Sequence, residues 1–240
     1  MKEISIIIPT FNEKENIRRL IKNIKKVVPK AYIVIVDDSI DDEIGKIVKK
    51  NKYLNVNYYH RKNAKGRGSA VLFGLRKNFS KDKKRIFIEM DADFSHDPKD
   101  LPRLYEACHK NNGDLAIGSR YVKGVNIVNW PMSRLLMSFF ASKYVKTITG
   151  MPIHDSTAGF KCYKRKVLEK INLDKIEFIG YAFQIEMKFK SWKYGFNIVE
   201  VPVIFTDRQE GNSKMSGGIF YEALFGVIKM KLKSFFKNWS

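Results

Sequence analysis

The sequence predicts an α/β protein with a mostly parallel central sheet and helices on both faces. Short apolar, β-branched runs alternate with amphipathic helical stretches through the first half. Polar or acidic residues follow three of those runs directly, at Asn12-Glu13, Asp37-Asp38 and Asp91-Ala92-Asp93. Alternation of this kind feeds parallel strands through helical crossovers, and ligands of such sheets lie beyond the carboxyl ends of the strands. The three polar clusters should therefore meet on one rim. With 44% apolar residues in 240, the chain is long enough for a sizeable core.

Taken in order, Ile4 to Ile8 reads as the first strand, and Ile17, Leu20, Ile21, Ile24 and Val28 form the apolar face of the helix that follows. Between them, Pro9-Thr10-Phe11-Asn12-Glu13 has two readings. Asn12 is a competent helix N-cap, which spacing alone favours. Otherwise Phe11 packs on a nucleobase and Glu13 bonds a base or ribose. Ala31 to Val36 is the second strand. Asp37-Asp38-Ser39 after it either accepts ribose or base groups or caps a helix over Asp42 to Lys50. Asn55 to Tyr59 is the third strand. Lys62-Asn63-Ala64-Lys65-Gly66-Arg67-Gly68 then enters a helix over Gly66 to Asn78, as a phosphate site on a helix terminus or as a basic loop. It lacks the Gly-Lys-Ser/Thr ending of a nucleotide triphosphatase loop.

Arg85 to Met90 is the fourth strand and runs into Asp91-Ala92-Asp93-Phe94-Ser95-His96-Asp97-Pro98. Two carboxylates one residue apart at a strand end can hold a hard divalent cation that takes phosphate oxygens as further ligands. Alone the pair reads first as an acidic surface turn, and its company elsewhere in the chain favours the cation. Helix at Pro98 to Asn111 and strand at Asp114 to Ile117 follow. The second half is less regular: helix at Trp130 to Ile148, a turn from Gly150 to Gly159, helix at Tyr181 to Tyr194, strand at Asn197 to Phe205. On the first of these helices Arg134 and Ser138 share a face, where Arg134 could grip a phosphate in a fork. Beside them Leu135, Leu136, Phe139 and Phe140 form an apolar stripe, and an ordinary core helix is the reading that this stretch by itself favours. The loop from Thr206 to Gly218 carries Arg208 and Lys214, placed to close over a diphosphate or simply to face solvent.

The end of the chain is a basic amphipathic helix, so the expected division is 1–217 for the α/β unit and 218–240 for this tail. Tyr221, Leu224, Phe225, Ile228, Leu232, Phe235, Phe236 and Trp239 repeat at helical spacing, with Lys229, Lys233 and Lys237 opposite. That composition suits a membrane interface. The first turns are expected on the protein core, and the last three, with Phe235, Phe236 and Trp239, in lipid.

Forty-five basic against 25 acidic residues give a net charge of +20, which calls for an anionic partner: nucleic acid, phosphorylated substrate or membrane surface. No nucleic-acid module is recognisable, so nucleic acid is not the expected partner. Two cysteines, Cys108 and Cys162, make neither a disulfide framework nor a metal site, which favours a reducing compartment. No cleavable signal pattern opens the chain, and no apolar run reaches the ~20 residues of a membrane span.

Eight motifs in order, IIIPTFNE, VDDS, KNAKGRGSA, MDADFSHDP, GSRY, the SR…S helix, DSTAGFKCY and RQEGNSK, resemble those of family 2 glycosyltransferases. Within that family they are most similar to dolichyl-phosphate mannosyltransferases and related polyprenyl-phosphate hexosyltransferases. The resemblance covers about Ile4 to Lys214. It implies a GT-A fold and inverting transfer of a hexose from a nucleotide sugar to dolichyl or polyprenyl phosphate. GDP-mannose is the favoured donor, and UDP-glucose or another nucleotide sugar the alternative.

By motif, Pro9, Phe11, Glu13, Val36 and Asp38 would hold the nucleotide. Asp91, Asp93 and Ser95, with Ala92 between the acids, would surround a Mg2+ or Mn2+. Arg120, Arg134 and Ser138 would take the acceptor phosphate, and Arg208 and Lys214 the donor phosphates. Ser95 stands where some relatives have Gln, a weaker or water-mediated metal contact. Asp41-Asp42-Glu43 replaces a glycine-containing turn. The resemblance also implies a peripheral position on the cytoplasmic face of a membrane, with or without an anchoring partner protein.

Overall fold

The computed structural model describes residues 4–62, 66–79, 86–207, 217–236 and 239. Nine strands and eight helices lie among them: β1 (Ile4–Thr10), α1 (Lys14–Val27), β2 (Tyr32–Asp37), α2 (Glu43–Asn51), β3 (Val56–His60), α3 (Arg67–Phe79), β4 (Ile86–Glu89), α4 (Leu101–His109), β5 (Leu115–Ser119), β6 (Ile127–Val128), α5 (Met132–Thr149), β7 (Lys161–Lys164), α6 (Arg165–Ile171), α7 (Tyr181–Lys193), β8 (Ile198–Pro202), β9 (Phe205–Thr206) and α8 (Gly217–Phe235). Asn63-Ala64-Lys65, Arg85, Arg208, Lys214 and Lys237 lie outside the described residues, as does the side chain of Tyr221.

Seven strands form one sheet in the order β3-β2-β1-β4-β7-β5-β8. All neighbours are parallel except β7, which runs antiparallel to both β4 and β5. The reversal of β7 leaves β4 and β5 pointing the same way, so the carboxyl ends of β1, β2, β4 and β5 share one rim. Ile4, Ile6, Ile8, Ile33, Ile35 and Ile88 face one core layer with the buried side of α1. Ile7, Val34, Val36, Phe87 and Leu115 face the other, against α3, α6 and α7. Such doubly buried strands read as continuous apolar runs, which is why β1, β2 and β4 are legible in the sequence.

The strand β7, Lys-Cys-Tyr-Lys, was not expected, nor was helix α6. Lys161 opens β7 fully buried, so the composition that argues against a strand is held here by internal charge partners.

At the chain end, the protein-facing side of α8 is Val227, Met230 and Ser234, all buried, with Gly226 tight against Phe178. Phe225, Ile228, Leu232, Phe235 and Phe236 face outward. The apolar stripe read from spacing is thus the exposed side of the described helix. Trp239, assigned to lipid, instead packs on protein. Its ring meets Tyr194 at 4.9 Å and Phe189 at 6.2 Å, and its Nε1 donates to Ser234 O. Helix α5 also departs from an ordinary core helix: Met132, Leu136, Met137 and Phe140 are exposed, and burial begins only at Ser142, Val145 and Thr149.

Candidate active site

The rim is assembled by backbone bonds between neighbouring strand ends. Asp38 N donates to Thr10 O, and Asn12 N donates to Ser39 Oγ at 2.8 Å, which ties the loop after β1 to the loop after β2. Met90 N donates to Ile7 O, bringing the Asp91-Ala92-Asp93 turn beside β1. The three polar clusters therefore do converge.

Asn12 is not the cap of α1. It sits in the left-handed region at φ 59, Glu13 takes the N-cap position, and Glu13 Oε2 accepts from Asn16 Nδ2 at 2.9 Å. Phe11 is exposed at the rim, while Pro9 and Val36 are strand residues of β1 and β2. Asp37 and Asp38 do not cap α2, whose N-cap is Asp42. Asp37 is buried and accepts from Thr10 Oγ1 and from Ser39 N and Oγ. Asp38 is gripped by the guanidinium of Arg61 through two bonds of 2.6 Å. A fork of this geometry fixes the carboxylate plane as well as its charge.

Around the two acids after β4 the sequence motif proves to have hidden partners. Arg67, first residue of α3, donates from Nε to Asp91 Oδ1 at 2.7 Å and also approaches the buried Glu89 at 3.7 Å. His96 is buried and stacked on Phe160 at 4.7 Å. Its Nδ1 accepts from Asp91 N, which leaves its proton on Nε2, and burial pushes the imidazole below its ordinary pKa. Asp93 Oδ1 accepts from Ser95 N and from Ser95 Oγ at 2.6 Å. The Ser95 hydroxyl, expected beside a metal, is bonded here to the carboxylate itself.

The helix entry at Gly66 to Gly68 differs from a phosphate cradle. Gly68 N donates to Ile179 O at 2.9 Å, and a Cβ at this residue would lie 2.5 Å from that same oxygen. Only glycine fits so close an approach. The basic side chain of Arg67 turns to carboxylates of the chain instead.

A second cluster follows β5. Arg120 is buried, and its Nε and Nη2 bond both oxygens of Asp155 at 2.7 and 2.6 Å. Burial alone would raise the Asp155 carboxyl, but the Arg120 charge and hydrogen bonds outweigh it and hold the pKa below the usual value. Arg134, on the first turn of α5, stacks over Trp130 at 4.0 Å and donates from Nη1 to Asp207 Oδ1 at 2.7 Å. The Arg120 guanidinium lies 5.6 Å from the same indole ring. Tyr121 Oη donates to Ser138 Oγ at 2.9 Å, tying α5 to the end of β5. Arg120, Arg134 and Ser138 thus lie in one region, with Arg120 turned to Asp155 and Arg134 to Asp207. Trp130, Asp155, Asp207, Arg61, Arg67 and His96 were not foreseen. Asp155, Asp207, Arg61 and Arg67 act through partners distant in sequence, a signal that spacing does not carry.

The arrangement joins an acidic strand-end pair to a cationic, aromatic-lined cluster on one rim. The profile of "Glycosyl transferase family 2" matches residues 5–172. The chain belongs to this family. It is a glycosyltransferase, and its fold is GT-A-like. It is 40% identical over 235 residues to the polyprenol monophosphomannose synthase of Mycolicibacterium smegmatis, covering 95% of this chain and 86% of that protein. It is likewise 40% identical to the undecaprenyl-phosphate mannosyltransferase of Micrococcus luteus, over 94% of this chain and 93% of the other. The dolichol-phosphate mannosyltransferase of Pyrococcus furiosus is 36% identical over 95% of this chain, which spans 63% of that longer protein. Among solved structures, glucosyl-3-phosphoglycerate synthase from Mycobacterium tuberculosis, in complex with Mn2+, UDP and glucosyl-3-phosphoglycerate, superposes with a TM-score of 0.67. Its identity is 15%, with 95% of this chain and 80% of that chain covered. At that identity the likeness speaks for the fold.

Proposed function

We propose that this glycosyltransferase moves a mannosyl group, from GDP-mannose, onto polyprenyl or dolichyl phosphate with inversion at the sugar's anomeric carbon. The observation that carries the reading is the shared rim. Acidic turns after β1, β2 and β4 stand beside Arg120 and Arg134 after β5, so a nucleotide sugar and a second phosphate can meet there. The names of the relatives support the lipid phosphate and the mannose.

Pro9, Phe11, Glu13, Val36 and Asp38 hold the nucleotide in this reading. Asp91 and Asp93 fit a Mg2+ or Mn2+: both are hard oxygen donors on one short turn, and each carboxylate is already oriented by hydrogen bonds, as metal-binding carboxylates usually are. Bound there, the ion would neutralise charge on the donor diphosphate. Among the described residues no cluster of three His, Cys, Asp or Glu side chains offers a metal site, so the remaining ligands would come from phosphate and water. Arg208 and Lys214 take the donor phosphates. Arg120, Arg134 and Ser138 take the acceptor phosphate.

A lipid monophosphate has a second pKa of about 6 and is a nucleophile near neutral pH. Its oxygen forms the bond to the anomeric carbon as the bond to the nucleoside diphosphate breaks. No strong base is required. Positioning two anions is the main task, and the arginines perform it. The outward apolar residues of α5 and α8 support peripheral binding to a membrane, taken in this reading to be at its cytoplasmic face. No helix among the described residues is long and apolar enough to cross one.

The test incubates purified protein with polyprenyl phosphate, Mn2+ and labelled nucleotide sugars, then counts lipid-extractable label. GDP-mannose should supply it. Label from UDP-glucose instead would move the donor assignment. Asp93→Ala should cut transfer roughly a hundredfold or more, since even outer partners of metal ligands cost ten- to hundredfold. Undiminished transfer by that variant would refute the metal assignment.

A further inference from the structure

We infer that Asp207 is the resident anion of the acceptor-phosphate subsite, a built-in competitor that lipid phosphate must displace from Arg134 and that helps expel the product. The inference rests on the reading above, in which Arg134 grips that phosphate. Three observations support it. The Arg134 guanidinium sits over the Trp130 ring, 4.0 Å from its centroid, a contact that holds it in place independently of any ligand. Its Nη1 donates to Asp207 Oδ1 at 2.7 Å, a charge-assisted bond of the kind a phosphate oxygen would make. Both side chains remain about a quarter exposed, which leaves the pair open to exchange. Asp207 also borders a groove of about 870 Å³ whose walls carry Arg19, Lys99 and Arg103 together with Asp97 and Asp100. A displaced carboxylate has room on that side.

The charge balance of the transfer makes such a competitor useful. The acceptor arrives as a phosphate monoester with two negative charges. Its oxygen bonds the anomeric carbon, and the nucleoside diphosphate departs with the electron pair and the additional negative charge. The glycosylated lipid phosphate is left as a diester with one charge. Arg134 therefore holds substrate more strongly than product, while the Asp207 carboxylate opposes both. The same competition that a dianion overcomes tips the balance toward release once a monoanion is formed.

Acceptor KM, product inhibition and nucleotide affinity, measured on the full chain with a short polyprenyl phosphate, test this. Asp207→Asn should lower the acceptor KM roughly two- to fivefold, the scale of a partly exposed ion pair. It should strengthen inhibition by added glycosylated product to a similar degree and leave the nucleotide Kd unchanged. Asp207→Glu should restore wild-type values. Should the Asn variant not fold, as judged by circular dichroism and nucleotide binding, Asp207→Ser must show the same shifts. A folded neutral variant with an unchanged or higher acceptor KM overturns the inference. Arg134→Ala separates the two levels: if it leaves acceptor KM at the wild-type value, the acceptor assignment itself fails. If it raises KM while the Asp207 variants do not lower theirs, only the competitor fails.

Discussion

At Lys161 a cationic side chain lies entirely inside the protein, 3.1 Å from Glu89 and beneath the acidic turn after β4. Burial pulls its pKa down to about 8, against an ordinary 10.5, although Glu89 pulls the other way. Between those two values the unfolded chain holds a proton that the folded protein has released. The unfolded state then binds more protons, so this group makes stability rise with pH across that window. A lysine whose pKa is raised by a partner would do the reverse. Denaturant titrations from pH 7.5 to 9.5 should show the contribution, and Lys161→Met should flatten the slope relative to wild type. A slope no shallower in the variant would show that Lys161 enters the fold without this strain. The same residue marks a limit of sequence reading. Asp91, Asp93 and Arg134 stood out only through the motifs that accompany them. An isolated acidic turn or one arginine on an apolar helix reads first as ordinary surface or core. Glu89 and Lys161 were hidden because each looks like a surface residue until its partner across the β4–β7 pairing is known.

Among the elements, α5 and α8 present the outward apolar surface of the second half. They touch each other, as the bond from Tyr144 Oη to Leu224 O shows. Phe140 is 62% exposed on one and Phe236 92% on the other. Because both rings already face outward, replacing them should disturb folding little while removing area that lipid would cover. Phe140→Ala and Leu232→Ala should each weaken binding to anionic liposomes roughly tenfold, taking the low end of about 1.5–3 kcal/mol for burying such a side chain. Their thermal midpoints should stay near wild type. Unchanged liposome flotation for both would return this surface to ordinary solvent exposure. Spacing revealed that α8 is amphipathic but put Trp239 on the wrong surface. Helical periodicity finds a stripe of like residues and is blind to the direction the core lies in. Here small and medium residues, Gly226, Val227 and Met230, allow close approach to α7, and the bulkier ones are left outside. Short β6 and β9, two residues each, escape any pattern of period two.

For the molecule as a whole, 20 net positive charges are far more than one rim requires. They should hold the protein on anionic surfaces through long-range attraction that salt screens, with a Debye length of about 8 Å at physiological ionic strength. Raising salt from 50 to 500 mM should release the protein from phosphatidylserine vesicles while leaving Trp239 packed on Tyr194. Vesicle binding indifferent to salt would assign attachment to the apolar face alone. The α/β class and strands β1, β2 and β4 were readable because buried parallel strands are continuous apolar runs. What was not readable was the order of strands beyond β4, which no local pattern encodes.

That order sets how the chain must assemble. β4 and β5 are not neighbours: β7, made some 45 residues after β5, stands between them and bonds to both. A nascent chain that has emerged only as far as α5 carries β4 as an open sheet edge, with β5 unable to dock. Such an edge is a template for wrong pairing with other chains. The half-made protein should thus be sticky on the ribosome until Lys161–Lys164 arrives to zip the two halves together, and truncations within 110–160 should aggregate although every residue of the acidic turn is already present.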